Sequence, residues 1–235
     1  MSNIVVRRLK NATDAEIERI VAVNVAAFAN DAFSRVLVGG NMDLLPLLMR
    51  AHVEAGLIGG EVYVAGDGPD DIASAAVWFG PGQELLYSID LQATGFGELM
   101  GSVSDATRGW WQDKFLPFNE ATAAAFGEGL KKDNWHLELL ATEPRSQHKG
   151  LATALIQEVG HIAWKAGKSL TVETDTEDAL AFYKATGFAL KAKKPVLLEV
   201  EGAEGDVERP IPMYVLWKIP EGRLQSDGTL SLWGL

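Results

Sequence analysis

Residues 135–188 read WHLELLATEPRSQHKGLATALIQEVGHIAWKAGKSLTVETDTEDALAFYKATGF. Their hydrophobic pattern predicts two strands and two helices in alternation, over 135–141, 150–166, 169–173 and 177–186. A glycine follows each predicted helix directly, as is usual where a helix ends. Strands that alternate with helices are typical of a unit whose strands pair in parallel. We therefore expect an α/β fold with at least one parallel strand pair.

The sequence on either side predicts the rest of one sheet and its covering helices. Additional strands are expected over 4–9, 61–65, 72–79, 189–201 and 213–219. Helices are expected over 14–30 behind a capping box at Thr13 to Glu16, over 41–55 with Gly56 as its stop, and over 119–132. The absence of a long linker predicts a single domain over 1–220, with a helical insertion at about 80–134 and a C-terminal tail over 221–235.

The composition disfavours several classes of function. The formal net charge of −11 argues against general nucleic-acid binding, because phosphate contacts need a basic surface. There are no cysteines and the four histidines lack metal-ligand spacing, so we expect no metal site. No apolar run reaches the roughly 18 residues of a membrane span, and the first residues lack a signal-peptide pattern. We expect a cytoplasmic protein without membrane or nucleic-acid partners.

A polar loop follows the first strand of the quoted region and leads into a helix at Gly150. The first turn of a helix has unpaired backbone N–H groups and a partial positive charge, so it stabilises an anion. Gly150 and Ala152 would let a diphosphate approach the backbone, and Arg145, His148 and Lys149 add donors or charge. A glycine before a helix is common by itself. The loop has neither the Walker pattern nor the dinucleotide fingerprint, so those ligands are not indicated.

Two blocks of the quoted region resemble the GNAT superfamily of N-acetyltransferases. QHKGLA at 147–152 matches its Gln/Arg-x-x-Gly-x-Gly/Ala signature, and AFYKATGF at 181–188 looks like its Phe-Tyr-x-x-x-Gly-Phe segment. The early hairpin, with EVYVA at 61–65 and AVW at 76–78, is loosely similar to puromycin N-acetyltransferase-like members. The resemblance implies a mostly antiparallel central sheet with one splayed parallel pair, flanked by helices. It also implies metal-free transfer of an acetyl group from acetyl-CoA to a primary amine, by direct attack on the thioester.

The resemblance assigns roles to particular residues. Tyr183 matches the family's general acid, which protonates the departing thiolate. The pantetheine arm would run along 140–142, the pyrophosphate would bind the N–H groups of 147–153, and a backbone N–H near Leu140 would polarise the thioester carbonyl. Many members have an Asn where this chain has Ala179, and Asp178 is the candidate replacement. The implied cofactor-binding residues are Leu140, Ala141, Thr142, Gln147, His148, Lys149, Gly150, Leu151, Ala152, Thr153 and Asp178.

The general base is open between two residues of the first strand. Strict alternation places Leu137, Leu139 and Ala141 on one face of this strand, and the other face carries His136, Glu138, Leu140 and Thr142. On the polar face, His136 and Glu138 are the candidate catalytic bases for the acceptor ammonium, directly or through water. A polar strand face exposed at the end of the sheet is the alternative interpretation. Further candidates to attract a cationic amine are Glu173 and Asp175, although helix capping explains Asp175 equally well.

The acceptor is not identified by the sequence. The leading hypothesis is a small-molecule amine, such as an antibiotic or an amine metabolite, because the long insertion favours an enclosed site. Its pocket is expected from 28–33, the insertion and the final hairpin. The alternatives are a non-catalytic acyl-CoA-binding regulatory module and a protein or peptide N-acetyltransferase. A monomer and a homodimer are both compatible with the sequence.

Overall fold

A computed structural model describes residues 4–85, 90, 94–196 and 210–220. Its strands are β1 (Val5–Leu9), β2 (Glu61–Gly66), β3 (Ser74–Phe79), β4 (Trp135–Thr142), β5 (Leu170–Thr174), β6 (Ala189–Val196) and β7 (Ile211–Lys218). Its helices are α1 (Asp14–Phe28), α2 (Ala32–Leu37), α3 (Leu45–Gly59), α4 (Gly95–Ser102), α5 (Asp105–Trp110), α6 (Leu116–Phe126), α7 (Leu151–Lys165) and α8 (Glu177–Ala185). The other described helical turns are 3-10 turns at Met42–Leu44 and Pro144–Ser146 and a π-helical turn at Trp111–Phe115.

Within the described residues, the strands form one seven-stranded sheet in the order β1-β2-β3-β4-β5-β7-β6. Neighbouring strands are antiparallel apart from β4 and β5, which run parallel. The connection through α7 accounts for the parallel pair, because a crossover helix returns the chain to the same end of the sheet. The expected mostly antiparallel sheet with one parallel pair and flanking helices is confirmed.

Helices cover both faces of the sheet. Along β3, Val77 and Phe79 pack into a core shared with α1, α3, α4 and α5, whereas Ala76 and Trp78 pack into a second core under α7 and α8. This division follows from the two-residue period of a strand. Every residue of β3 is buried, which explains why its sequence SAAVWF is almost wholly apolar.

The first helix begins where the sequence predicts. The Thr13 hydroxyl accepts a hydrogen bond from the Glu16 N–H at 3.3 Å, and Glu16 Oε2 accepts one from the Thr13 N–H at 2.9 Å, so the capping box is present. α1 ends at Phe28, slightly earlier than expected. The short α2 was not predicted, and Asp31 caps it by accepting from the Ser34 N–H at 2.6 Å.

Gly56 does not end the second long helix, contrary to the prediction. Asn41 caps the 3-10 turn that precedes α3, and α3 itself continues through Gly56 to Gly59. A Cβ at position 56 would lie 2.6 Å from Val77 Cγ1 on the sheet. The glycine is therefore required for close packing of the helix on β3 rather than for termination.

The clearest helix of the insertion also differs from its predicted bounds. α6 occupies 116–126 rather than 119–132. Pro117 suits the first turn of a helix because that turn needs no backbone N–H from it. Gly127, with a φ of 110°, ends the helix in a backbone conformation that glycine adopts readily.

Some sequence predictions fall outside the described residues. These are the continuation of β6 to 201, the acidic link at 201–208 and the tail at 221–235. In the described ranges, no helix is both long and apolar enough to cross a membrane. Those ranges also contain no group of three or more histidines and carboxylates placed to hold a metal ion.

Candidate active site

The parallel strands β4 and β5 separate along their length. They pair only from Trp135–Leu170 to Leu137–Val172, whereas β4 continues to Thr142 and β5 to Thr174. Beyond Leu137, no described strand pairs with this edge of β4. A cleft of about 940 Å³ opens there, with further walls from α1, α4 and α6. An open strand edge can pair with the amide groups of an extended ligand.

A β-bulge at Glu138 lies beside the point of separation. Val77 on β3 pairs with Leu139 and Trp78 pairs with Leu137, so Glu138 has no partner in the β3 ladder. The extra residue reverses the alternation: Leu137 packs under α7 and α8, and Leu139 packs into the opposite core. The prediction that these two leucines share a face is therefore wrong. A bulge re-aims side chains, and here it does so at the mouth of the cleft.

The loop that leads into α7 has a backbone suited to an anion. His148 has a φ of 60° and Gly150 a φ of 88°, so both lie in the left-handed region. Such residues turn neighbouring N–H groups towards a common point. Gly150 is the N-cap of α7 and offers no side-chain hydrogen bond to the first turn, whose first internal bond runs from Ala154 N to Gly150 O at 2.9 Å. The N–H groups of 151–153 are therefore available to an anion.

Most residues implied to bind the cofactor line the cleft. They are Leu140, Ala141, Thr142, Gln147, His148, Gly150, Leu151, Ala152, Thr153 and Asp178. Lys149 is exposed in the same loop but does not line the cleft. Gln147 Nε2 donates to the Thr142 carbonyl at 3.4 Å, and the Thr142 hydroxyl lies 2.8 Å from that of Ser74. The contact of Gln147 ties the loop over 143–150, called the anion loop below, to the end of β4.

Helix α8 places Tyr183 in the wall of the cleft. Thr176 caps this helix by accepting from the Ala179 N–H at 3.2 Å. Tyr183 is 6% exposed, and its ring centroid lies 5.3 Å from that of Phe182 and 5.4 Å from that of Phe188. Burial raises the pKa of the Tyr183 phenol, because the phenolate would lose its hydration. The phenol is therefore held protonated at neutral pH and fixed in orientation by its aromatic neighbours.

Ionisable side chains converge where β4 and β5 begin to separate. His136 Nε2 lies 2.9 Å from Glu173 Oε2 and 3.7 Å from Glu138 Oε2. Lys131, from the insertion, donates to Glu173 Oε1 at 3.0 Å. Burial alone would raise the pKa of Glu173, but attraction to His136 and Lys131 outweighs it and lowers that pKa to about 2. The pKa of Lys131 is raised because its carboxylate neighbours outweigh the effect of burial, so the pair is ionised.

Glu138 is the more accessible of the two candidate bases. His136 Nε2 contacts the Glu173 carboxylate, and His136 Nδ1 lies 3.0 Å from the Thr171 hydroxyl, so both ring nitrogens are engaged. Both side chains line the cleft, but that of His136 is only 5% exposed whereas that of Glu138 is 20% exposed. A proton acceptor must be reachable by the substrate or by a water molecule, and Glu138 meets that condition better.

A second acidic group lies at the cleft, in which the sequence predicted Asp175 but not Asp31. Asp31, at the start of α2, and Asp175, after β5, both line the cleft and are near neighbours. Burial and the negative charge of Asp31 raise the pKa of Asp175 to about 6. Capping of α8 does not explain Asp175, since Thr176 has that role. An Asp three residues before Ser34 is a helix-capping pattern, and it was the one feature of the sequence that could have singled out Asp31. No feature of the sequence singled out Lys131.

Comparison with protein families gives one match. A model described as the acetyltransferase (GNAT) family matches residues 85–188. The matched range contains β4, α7, β5 and α8, and hence the anion loop, the bulge and Tyr183.

Several solved structures share the fold. One from Corynebacterium glutamicum, named histone acetyltransferase HPA2 and related acetyltransferase, is 23% identical, with coverage of 94% of this chain and 97% of that chain and a TM-score of 0.58. Mosquito arylalkylamine N-acetyltransferase like 5b is 16% identical, with coverage of 93% and 100% and a TM-score of 0.59. The C-terminal condensation domain of Ebony, in complex with beta-alanyl-dopamine, is 14% identical, with coverage of 94% and 100% and a TM-score of 0.60. At these identities the likeness establishes the fold alone.

Proposed function

We propose that this chain, whose residues 85–188 match the model of the acetyltransferase (GNAT) family, transfers the acetyl group of acetyl-CoA to the primary amine of a small molecule. One arrangement carries the proposal: the uncapped start of α7, the open edge of β4 and Tyr183 line a single cleft. An anion site, a strand edge and a proton donor suit the diphosphate, the amide-bearing arm and the thioester of one elongated ligand.

The start of α7 fits the pyrophosphate of CoA. The available N–H groups of 151–153 point out of a turn built on the left-handed Gly150, and Ala152 has too small a side chain to obstruct it. Exposed His148 and Lys149 add basic groups to this loop in a chain of net charge −11, whereas Arg145 pairs with Glu143 at 2.9 Å. The edge of β4 at 140–142 would then pair with the pantetheine amides. At α8, Ala179 offers no side-chain donor, so Asp178 is the polar side chain left for that contact.

Tyr183 is assigned as the general acid. The thiolate that leaves when the thioester is cleaved needs a proton, and a phenol supplies one only if it is protonated beforehand. A phenol is protonated at neutral pH, and the burial that raises the pKa of Tyr183 keeps it so. Its position in the wall of the cleft, between Phe182 and Phe188, holds the hydroxyl in one place for the transfer.

Glu138 is assigned as the general base, and His136 as the residue that positions it. An amine attacks only when neutral, so the acceptor ammonium must first lose a proton. The bulge presents Glu138 beside the open edge of β4, where the acetyl group would lie. His136 is held by Glu173 and Thr171, and its Nε2 lies 3.7 Å from the Glu138 carboxylate. His136 would thereby orient that carboxylate.

A glutamine at position 138 tests this base. Glu138→Gln should lower kcat by about 10²-fold and remove the acidic limb from the pH profile of kcat/KM, with acetyl-CoA affinity retained. Glu158→Gln, an exposed site on α7 outside the cleft, should leave both unchanged. If the acidic limb persisted in Glu138→Gln, a different group would be the base.

The acceptor end of the cleft favours a small molecule over a protein surface. Phe96 of α4 and Phe118 of α6 both line it, so the insertion encloses this end. Calorimetry with acetyl-CoA, followed by free-thiol release across panels of small amines and basic peptides, tests the function. We expect acetyl-CoA binding and turnover with small amines in preference to peptides. Preference for peptides would overturn the acceptor class, and binding without turnover on any acceptor would identify a non-catalytic acyl-CoA-binding module, which the substitution at Ala179 favours.

A further inference from the structure

The wall of the cleft away from the anion loop is aromatic. In the described part of the chain, the half-buried phenylalanines that line this wall are Phe28, Phe33, Phe115 and Phe118. All pack against the same core, from the end of α1, from α2 and from the insertion. The ring centroids of Phe33 and Phe115 are 6.2 Å apart, so α2 and the insertion meet at this surface. Partly exposed rings on a concave surface offer their faces and edges to a ligand.

The aromatic wall is held rigidly from behind. Phe115 stacks on Trp110 at 5.8 Å between centroids and meets the edge of Trp111 at 4.6 Å. The π-helical turn accounts for the stacking on Trp110, because its wider turn brings residues five apart, such as 110 and 115, onto one side of the helix. Trp111 Nε1 donates to the Leu37 carbonyl at 2.8 Å and anchors the turn to α2. A ring that binds there would meet a preorganised surface.

A pair of carboxyl groups stands beside this wall. Asp31 lies between Phe28 and Phe33 in sequence, and its backbone N–H donates to the Phe28 carbonyl at 3.0 Å. Asp175 directly follows β5, across the gap between β4 and β5 from the open edge of β4. Burial and the nearby negative charge of Asp31 both disfavour an ionised Asp175, and the pKa of Asp175 is raised accordingly. An ammonium group at this point would favour the ionised form.

We propose that the acceptor is a primary amine that carries an aromatic ring, with the ring against Phe33, Phe115 and Phe118 and the ammonium drawn in by Asp31 and Asp175 before its proton passes to Glu138. This assignment rests on the proposed function and specifies its substrate class. The volume of about 940 Å³ accommodates such an amine beside an acyl-pantetheine arm.

Matched amines test the assignment in the full-length chain. With 2-phenylethylamine, kcat/KM for CoA release should exceed that with ethanolamine by roughly tenfold or more, because the ring is buried on binding. With 2-cyclohexylethylamine, of similar size, it should be lower than with the phenyl compound by roughly threefold, since the saturated ring lacks edge-to-face contacts. The assignment would be overturned if kcat/KM for ethanolamine or spermidine equalled that for 2-phenylethylamine. It would also be overturned if kcat/KM for 2-cyclohexylethylamine equalled that for 2-phenylethylamine.

Substitutions locate the two parts of the binding site. Phe115→Leu should raise KM for 2-phenylethylamine roughly fivefold and leave acetyl-CoA affinity unchanged. Asp175→Asn should raise the same KM by a similar factor, whereas Asp113→Asn, exposed in the insertion and outside the cleft, should not. Phe118→Leu serves in place of Phe115→Leu if the latter does not fold by thermal melting. Unchanged KM values in the folded variants would contradict this assignment, whereas absence of acetyl-CoA binding would contradict the proposed function itself.

Discussion

The two ends of the cleft are built in different ways. At the cofactor end, the anion loop, the open edge of β4 and Tyr183 come from one continuous stretch, 135–188, and act largely through backbone geometry. At the acceptor end, single side chains converge from α1, α2, α6 and the residue after β5. Backbone geometry depends on local sequence, whereas convergence of side chains depends on the whole fold. In the proposed function, the first end would select the acyl donor, and the second would be free to vary with the acceptor.

Removal of the Tyr183 hydroxyl should have the largest effect on turnover. It would show whether this residue of the cofactor end acts in the chemical step or in acetyl-CoA binding. Tyr183→Phe should lower kcat by about 10²- to 10⁴-fold, because the thiolate loses its proton donor while the ring contacts remain. Acetyl-CoA affinity by calorimetry should be nearly unchanged.

Tyr63→Phe is the matched control for this substitution. Tyr63 is also buried, but its hydroxyl donates to Glu61 at 2.7 Å and it does not line the cleft. Its kcat should equal that of the natural chain. Equal turnover in Tyr183→Phe and Tyr63→Phe would refute the acid role.

The contrast between the two ends also marks how far the sequence predicts the molecule. The β4-α7-β5-α8 order and the parallel pair were predicted because strand and helix periods differ along a continuous segment. The bulge at Glu138 was not, since the alternation of WHLELL continues through it without a break. Gly56 and Gly127 each lie within or after an apolar helical pattern in the sequence. Gly56 packs against Val77 and Gly127 ends a helix, and only the tertiary contacts distinguish the two roles. The contact between Asp31 and Asp175 joins like charges far apart in sequence, which no local rule favours.

A side chain at Gly150 should weaken the cofactor end alone. An L-residue at a φ of 88° is strained, and Gly150→Ala should lose roughly 1–2 kcal/mol of acetyl-CoA binding, about tenfold in Kd, as the loop rearranges. With both substrates saturating, kcat should recover to near that of the natural chain. Gly68→Ala, with no atom within 4 Å of the added Cβ, is the control and should bind normally. A normal Kd for Gly150→Ala would show that the left-handed turn is not needed for binding.

Substitution of Asp175, at the acceptor end, should have a small, pH-dependent effect on the free energy of unfolding. The pKa of Asp175 is raised from 3.8 to about 6. The protonated carboxyl therefore contributes its full stabilisation of the fold below pH 3.8, and this contribution is lost as the pH rises through about 6. Asp175→Asn keeps a neutral group, and should be more stable than the natural chain at about pH 7.5 by roughly 1 kcal/mol, or a few degrees in Tm, with no difference near pH 4. Thermal melts at both pH values measure this, with Asp113→Asn as the exposed control. Stabilisation of equal size at both values would mean that neither burial nor Asp31 raises the pKa of Asp175, and the acceptor end would then lose its reason to attract a cation.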